Sequence, residues 1–365
     1  MMSEKKRIAL LTSGGDCPGL NAVIRAVTKK AIHDHDWEVI GIEDGYEGLI
    51  ENRYKKLENH EVSGILSQGG TILGTSNVSN PYRYAVWEND KMEFQDISKQ
   101  VISNFKKLNA DCLVTIGGDG TLCTAQKLFD DGVPVVGVPK TIDNDIQCTE
   151  VSFGFDTAVD IVTEGIDRLH TTAQSHHRVM IVEVMGRHAG WIALYSGIAG
   201  GGDIILIPEI PYDIDAIIQK VQERGRVGKR FSIVVVAEGA RSRDGEQVVR
   251  KIVKESTDPL RLGGVGFMLG EQIEKLTGME VRCVVMGHLQ RGGTPSSFDR
   301  ILATQLGTRA VDMILKKEFG YMIAVKGNEL VHVPLREVAK GPRLVPFNHP
   351  LIQSARSTGT CFGEK

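Results

Sequence analysis

What this 365-residue chain lacks narrows it first. No uncharged apolar run reaches the roughly 18 residues that cross a bilayer, and the opening stretch MMSEKKRIALLTSGGD carries no signal-peptide cleavage pattern. A cytoplasmic protein with no membrane partner is expected. The six cysteines (Cys17, Cys112, Cys123, Cys148, Cys283, Cys361) form no CxxC pair, and most lie in or beside apolar runs. Reduced thiols are therefore expected, not bridges or zinc ligands. An excess of positive charge is missing too: 43 Lys and Arg against 46 Asp and Glu leave a net charge of −3. That is no general polyanion-binding balance, and nucleic acid is not an expected partner. The motifs GxxxxGK(S/T), GxSxG and HExxH are absent, and GGVGFMLG lacks GxGxxG spacing after a strand. No low-complexity segment or exact repeat is present.

Glycine is what the chain has in excess: 41 residues, well above the usual share of roughly 7%. The glycines gather at the ends of apolar runs, the pattern of tight turns around a ligand. The stretch from Leu113 to Asp145 concentrates this feature. An apolar run ends in Gly117-Gly118-Asp119-Gly120, a helical segment follows from Thr121, and a second run ends in Pro139-Lys140-Thr141-Ile142-Asp143-Asn144-Asp145. Ligands of open α/β sheets sit at the carboxyl ends of such strands. Glycine lets backbone amides approach a phosphate, and a helix start favours negative charge. Three carboxylates there (Asp119, Asp143, Asp145) suit a divalent cation between acid groups and phosphates, or a base that takes a hydroxyl proton. Together these features point to phosphoryl transfer.

The rest of the chain reads as two successive α/β halves, expected to be Rossmann-like three-layer domains with mostly parallel sheets and a cleft between them. Arg7 to Thr12 is an expected strand, followed by the turn Ser13 to Gly19 and a helix to about His35; Glu38 to Ile42 is the next strand. Residues 69–81 form a long polar loop, and Phe94 to Asn109 has helical period. Beyond Asp145, strands are expected at Val179 to Met185, Ile204 to Ile207, Ser232 to Ala237 and Val281 to Met286, with helices over Asp156 to Ser175 and Asp299 to Lys316. The tail from about Gly341 is polar and carries no readable pattern. The expected division is 1–153 plus about 289–340 for the donor nucleotide and metal, and about 154–288 plus the tail for the acceptor. The first half ends its strands in Gly, Asp and Thr; the second ends them in Arg, His and Glu. A nucleotide with its metal needs the former set, a sugar phosphate the latter.

The motifs TSGGDCPGLN, IGGDGT, PKTIDND, VEVMGRHAG, AEGA and MGHLQRGG, in this order, resemble those of the 6-phosphofructokinases over roughly residues 7 to 320. The resemblance implies transfer of a phosphoryl group to the 1-hydroxyl of fructose 6-phosphate, with Mg2+. Asp143 matches the family's general base, flanked by Thr141, Ile142 and Asp145, and Asp119 the magnesium carboxylate. Gly118, Gly120 and Thr121 match contacts to the donor phosphates, and Gly15 and Tyr46 further donor contacts. Met185, Gly186 and Arg187 match sugar and phosphoryl contacts, Glu238 the sugar hydroxyls, and His288, Leu289, Gln290 and Arg291 the segment around the 6-phosphate. Arg178 and Arg282 match arginines that reach a neighbouring subunit's site, which implies a homotetramer or homodimer. A lipid or NAD kinase would share GGDGT but not PKTIDND and MGHLQRGG, and a non-catalytic nucleotide-sensing relative would not need both Asp143 and Asp119.

Three positions depart from the best-known bacterial ATP enzymes. Asn77 stands where they have an arginine, and Lys140 where they have glycine. Lysine at that place resembles the pyrophosphate-using branch, whereas Gly120 resembles the ATP branch; the pair resembles a mixed-substrate subgroup. ATP is the expected donor, because a missing side chain at 120 is needed for ATP to fit, and pyrophosphate is the alternative. Lys140 is expected to supply the cation that Asn77 does not. Around the effector pocket Arg25, Asp203 and Lys229 fit, but His170 and Val227 replace basic positions, so a weak response to ADP or phosphoenolpyruvate is expected.

Overall fold

The computed structural model describes residues 5–88, 91–243, 245, 247–252 and 260–364. Runs of apolar residues with both faces buried force strands into the middle of a layered α/β structure. The first sheet has seven strands in the order Glu329–Pro334, Tyr321–Lys326, Val135–Pro139, Cys112–Gly117, Arg7–Ser13, Glu38–Ile42, Tyr54–Leu57. Its interior pairs are parallel, and the outermost strand at each edge is antiparallel. The second sheet is fully parallel, in the order Val281–Val285, Val179–Val184, Ser232–Ala237, Ile204–Leu206. One hydrophobic core runs through both, joining Ile8, Val114 and Val136 to Val182 and Val235.

Most expected elements form within a residue or two of their sequence bounds. The helix Leu20–His35 follows the first glycine turn, Phe155–His176 links the two sheets, and Ser297–Leu315 returns the chain to the first. Two expectations need correction. The segment from Phe94 to Asn109 is not one helix: Lys91–Gln95 is a strand paired antiparallel with Tyr84–Glu88. The helix begins only at Ser98, after Asp96 Oδ1 accepts a hydrogen bond from the Ser98 amide at 2.9 Å. KMEFQ alternates exposed with half-buried positions, the period of a strand. The helix after IGG begins at Asp119, two residues before Thr121.

The tail has more structure than its composition suggests. A helix covers Pro350–Ser357, opened by proline at its start and by His349 Nδ1 accepting from the Leu351 amide. Beyond it, Cys361 pairs in parallel with Ile204, so the chain terminus adds a bridge to the second sheet.

The return helix packs tightly on Leu20–His35. A Cβ at Gly307 would stand 2.7 Å from Ala26 Cβ and 2.9 Å from the Val23 carbonyl oxygen. Gly307→Val should therefore overpack this contact and destabilise the fold by roughly 1–3 kcal/mol. A lower unfolding midpoint in thermal or denaturant titration would show it; an unchanged midpoint would mean the helices part without cost.

Candidate active site

Both sheets send the carboxyl ends of their strands toward one cleft. On the first side, Cys112–Gly117 ends in the extended Gly118, and Asp119 opens the helix Asp119–Asp130. A carboxylate, or a metal with its phosphates, at this point meets free amides and the positive end of the helix. A Cβ built on Gly120 would meet no atom within 4 Å, so the space over the helix start is open. The neighbouring strand Arg7–Ser13 ends in Gly14, whose φ of 84° is a glycine conformation. A Cβ at Gly14 would lie 3.4 Å from Thr121 Oγ1 and 3.5 Å from Lys140 Nζ. Lys140 is buried, donates its backbone amide to Gly117 O at 3.0 Å, and donates its ammonium to the Gly15 carbonyl. It thus ties the two glycine turns together. Burial pushes its pKa down, with Cys17, Asp143 and Asp16 opposing and Arg291 reinforcing the shift.

The turn after Val135–Pro139 carries the acid groups. Thr141 Oγ1 accepts from the Asp143 amide at 3.1 Å. Asn144 has φ of 52°, and its Oδ1 accepts from the Ser152 amide at 3.1 Å, while Ser152 Oγ donates to Thr141 O at 3.0 Å. Asp143 is held between these clamps, and its Oδ1 is buried with no hydrogen-bond partner. Asp145 has its pKa pushed up by burial first and then by the charges of Asp143 and Asp119, with Arg187 acting against the shift. The charges of Asp119 and Asp143 thus both act on Asp145.

On the second side, Val179–Val184 runs into Met185, Gly186 (φ 138°) and Arg187 (φ 56°). The Arg187 amide donates to Glu238 Oε1 at 3.2 Å. Burial and the nearby Asp143 charge push the Glu238 pKa up to about 7. His288 and Leu289 are exposed beyond the end of Val281–Val285. Arg291 bridges the walls: its Nη1 donates to Asp16 O at 3.0 Å, and a Cβ on Gly15 would come within 2.5 Å of it.

Several expected contacts turn out to shape the walls from behind. Tyr46 is 2% exposed and its hydroxyl donates to Thr121 O at 2.9 Å, so the ring props the helix start instead of facing the cleft. Ile142 points into the core at 0% exposure. Gln290 is equally buried, accepting from the Met185 amide at 3.3 Å and donating to Gly287 O at 3.0 Å. Arg178 and Arg282 stand at the amino-terminal ends of their strands and both pair with Glu280, away from this chain's cleft. Sequence reasoning missed Asn144, Ser152, Glu209 and Arg343 as determinants of the site. Only the polar run around Asn144 offered a signal.

Among the described residues no group of three or more His, Cys, Asp or Glu side chains is placed to hold a metal unaided. A single carboxylate at a helix start still fits Mg2+, which commonly takes one or two carboxylates, waters and substrate phosphates. Asp119, whose Oδ1 accepts only a long contact of 3.5 Å from Cys123 Sγ, is the available ligand.

Glycine amides and acid groups facing cations across the mouths of two mostly parallel sheets define a phosphotransferase cleft. The Phosphofructokinase family model matches residues 7–314, and the chain belongs to that family. It is 54% identical to the ATP-dependent 6-phosphofructokinase 2 of Clostridium perfringens, over 100% of each chain. It is 51% identical to the ATP-dependent 6-phosphofructokinase of Spirochaeta thermophila, over 98% of each. Among solved structures, the phosphofructokinase of Saccharomyces cerevisiae matches with a TM-score of 0.77 at 34% identity, covering 92% of this chain and 45% of the yeast chain. A pyrophosphate-dependent phosphofructokinase from Marinobacter aquaeolei shares the fold, with a TM-score of 0.79 at 22% identity over 98% of this chain and 88% of the other.

The raised Glu238 carboxyl predicts a pH effect. A carboxyl whose pKa is higher folded than unfolded holds its proton more tightly in the native state. Stability therefore falls as pH rises from the ordinary 4.5 toward about 7. Asp145 acts with the same sign. Glu238→Gln should shrink that loss by an amount on the order of 1–3 kcal/mol. Denaturation midpoints at several pH values read it directly, and parallel wild-type and variant profiles would refute it.

Proposed function

We propose that the chain transfers the γ-phosphoryl group of ATP to the 1-hydroxyl of fructose 6-phosphate, giving fructose 1,6-bisphosphate and ADP, a glycolytic step. The observation that carries this reading is the unpartnered Asp143 Oδ1, buried on a turn clamped from both sides, with the Asp143 charge acting on Lys140 and the Arg187 charge acting on the neighbouring Asp145. A carboxylate so held is ready to accept a hydroxyl proton. As the sugar oxygen attacks phosphorus, the bond to the β-phosphate oxygen breaks and the hydroxyl proton passes to Asp143. Lys140 and Arg187 balance charge on the equatorial oxygens, and the amides from Gly118 to Thr121 hold the donor. Asp119 would hold Mg2+ with the donor phosphates, and the ion supplies charge neutralisation there.

The acceptor lies on the second wall. Glu238 takes the sugar hydroxyls, Met185 and Gly186 frame the ring, and His288, Leu289 and Arg291 surround the 6-phosphate. Residues 1–153 plus about 289–340 form the donor domain, and about 154–288 plus the tail the sugar domain. The open space at Gly120 and the ATP-dependent relatives favour ATP over pyrophosphate. Arg178 and Arg282, turned away from this cleft, suit a homotetramer in which they complete a neighbour's site. No described helix is long and apolar enough to cross a membrane; the reaction is assigned to the cytoplasm.

Initial rates with ATP and with pyrophosphate, at saturating fructose 6-phosphate and Mg2+, test the donor; faster turnover with pyrophosphate would reverse the assignment. Asp143→Ser should keep fructose 6-phosphate binding, measured calorimetrically, and lose at least about a hundredfold in kcat. Retained turnover would remove Asp143 from the base's role. Lys140→Met should lower kcat at least about tenfold, and an unaltered rate would leave Lys140 as a structural tie only.

A further inference from the structure

The tail beyond residue 341 lies outside the matched family segment, yet it touches the turn that carries the base. Arg343 is the point of contact. Its Nη2 donates to Asn144 O at 2.7 Å and to Glu150 O at 2.9 Å, its Nε donates to Asn144 O at 3.2 Å, and its backbone amide donates to Asp145 O at 2.6 Å. The residues it grips include Asn144, between the two aspartates and in the left-handed region. Non-glycine residues there are uncommon and cost energy unless their surroundings hold them.

The same arginine is anchored on the opposite side of the cleft. Its guanidinium lies 4.2 Å from the centre of the Trp191 ring, and Trp191 Nε1 donates to Arg343 O at 2.8 Å. Trp191 opens the helix that follows the Arg187 turn. Two residues on, the Val345 amide donates to Glu209 Oε1 at 2.8 Å, and the same carboxylate accepts from the Gly190 amide at 3.0 and 3.1 Å. His349 adds an edge contact to Trp191 at 5.2 Å. A single strap from the tail thus fastens the Asp143 turn of one sheet to the Arg187 turn of the other.

We propose that Arg343 is a positioning residue for phosphoryl transfer, setting the distance and angle between the base turn and the sugar wall through the Asn144 carbonyl and the Trp191 ring. It touches neither substrate. Its effect falls on alignment, and misplacement of about 1 Å can cost on the order of a hundredfold in rate without removing any binding contact. The inference rests on the phosphofructokinase reading given above.

The test uses the full chain. Arg343→Ala should lower kcat at least about tenfold, with KM for fructose 6-phosphate and ATP changed less than about threefold. Guanidinium added at millimolar concentration should restore part of the lost rate, since it can refill the donors over Trp191; it should not raise the wild-type rate. Rates are taken per folded protein, from near-UV circular dichroism of the same samples. Trp191→Phe, which keeps a ring but loses the donor to Arg343 O, should lower kcat in the same direction and decides the matter if Arg343→Ala does not fold. An unchanged kcat in a folded variant, a loss confined to KM, or a loss matching the unfolded fraction with no guanidinium response would each overturn the proposal. Inactivity of the wild type with both donors would overturn the functional reading instead.

Discussion

The constraint on which the structure turns is the placing of a carboxylate with an unpaired, buried oxygen. Leaving a buried polar atom without a partner costs roughly 1–3 kcal/mol, and more when it is charged. Asp143 bears that cost. The turn cannot relax to relieve it, because Thr141 Oγ1, Asn144 Oδ1, Ser152 Oγ and the Arg343 guanidinium fix the backbone on both sides of it. The unfavourable term is local, and the restraint comes from elements that are distant in sequence. A free pair of electrons on a fixed carboxylate is what proton removal needs.

Glycine does a complementary task on the donor wall. Gly14 and Gly15 leave room for Thr121, Lys140 and Arg291, and side chains at either place would meet those groups at contact distance or closer. Their absence lets a lysine pass between two strand ends and reach the Gly15 carbonyl. The same economy explains Gly120, where no protein atom fills the space a side chain would take. Small residues close some distances and hold others open, and both uses occur on the donor wall, at Gly14 and Gly15 on one element and at Gly120 on another.

How much of this was legible in the sequence depended on the range of the interaction. The parallel strands and their glycine ends were visible because burial on both faces writes a continuous apolar run, as in Cys112–Gly117 and Ser232–Ala237. The acid groups of PKTIDND and the cations of MGRHAG and MGHLQRGG were visible as residue types rarely spent on simple turns. Burial was not legible at Tyr46, Ile142 and Gln290: all three sit inside motifs, yet their side chains brace the wall from within. Nor was Arg343, whose partners lie 199 and 152 residues away at Asn144 and Trp191. A polar tail without periodicity gives no hint of such partners. The mistaken helix from Phe94 arose from short range: two strand residues in phase with the helix that follows them imitate its period.

Charge explains why this cleft would welcome both substrates together. Its carboxylates repel one another: Asp143 and Asp119 both push Asp145 up, and Asp143 pushes Glu238 up. Its cations are also set against each other, since Arg291 works with burial to weaken the protonated form of Lys140. Two unit charges 4 Å apart interact by about 4 kcal/mol at an effective dielectric of 20, so neither cluster is settled alone. In the proposed reaction a phosphorylated sugar would bring negative charge to Arg291, and a metal-laden donor would bring positive charge to Asp119 and negative charge to Lys140. Each ligand relieves a repulsion already built into the walls. In the proposed assignment Arg291, fixed to the Asp16 carbonyl of the donor side, makes the two reliefs interdependent. The charges that the two walls set against one another are thus opposite in sign to those the proposed substrates carry.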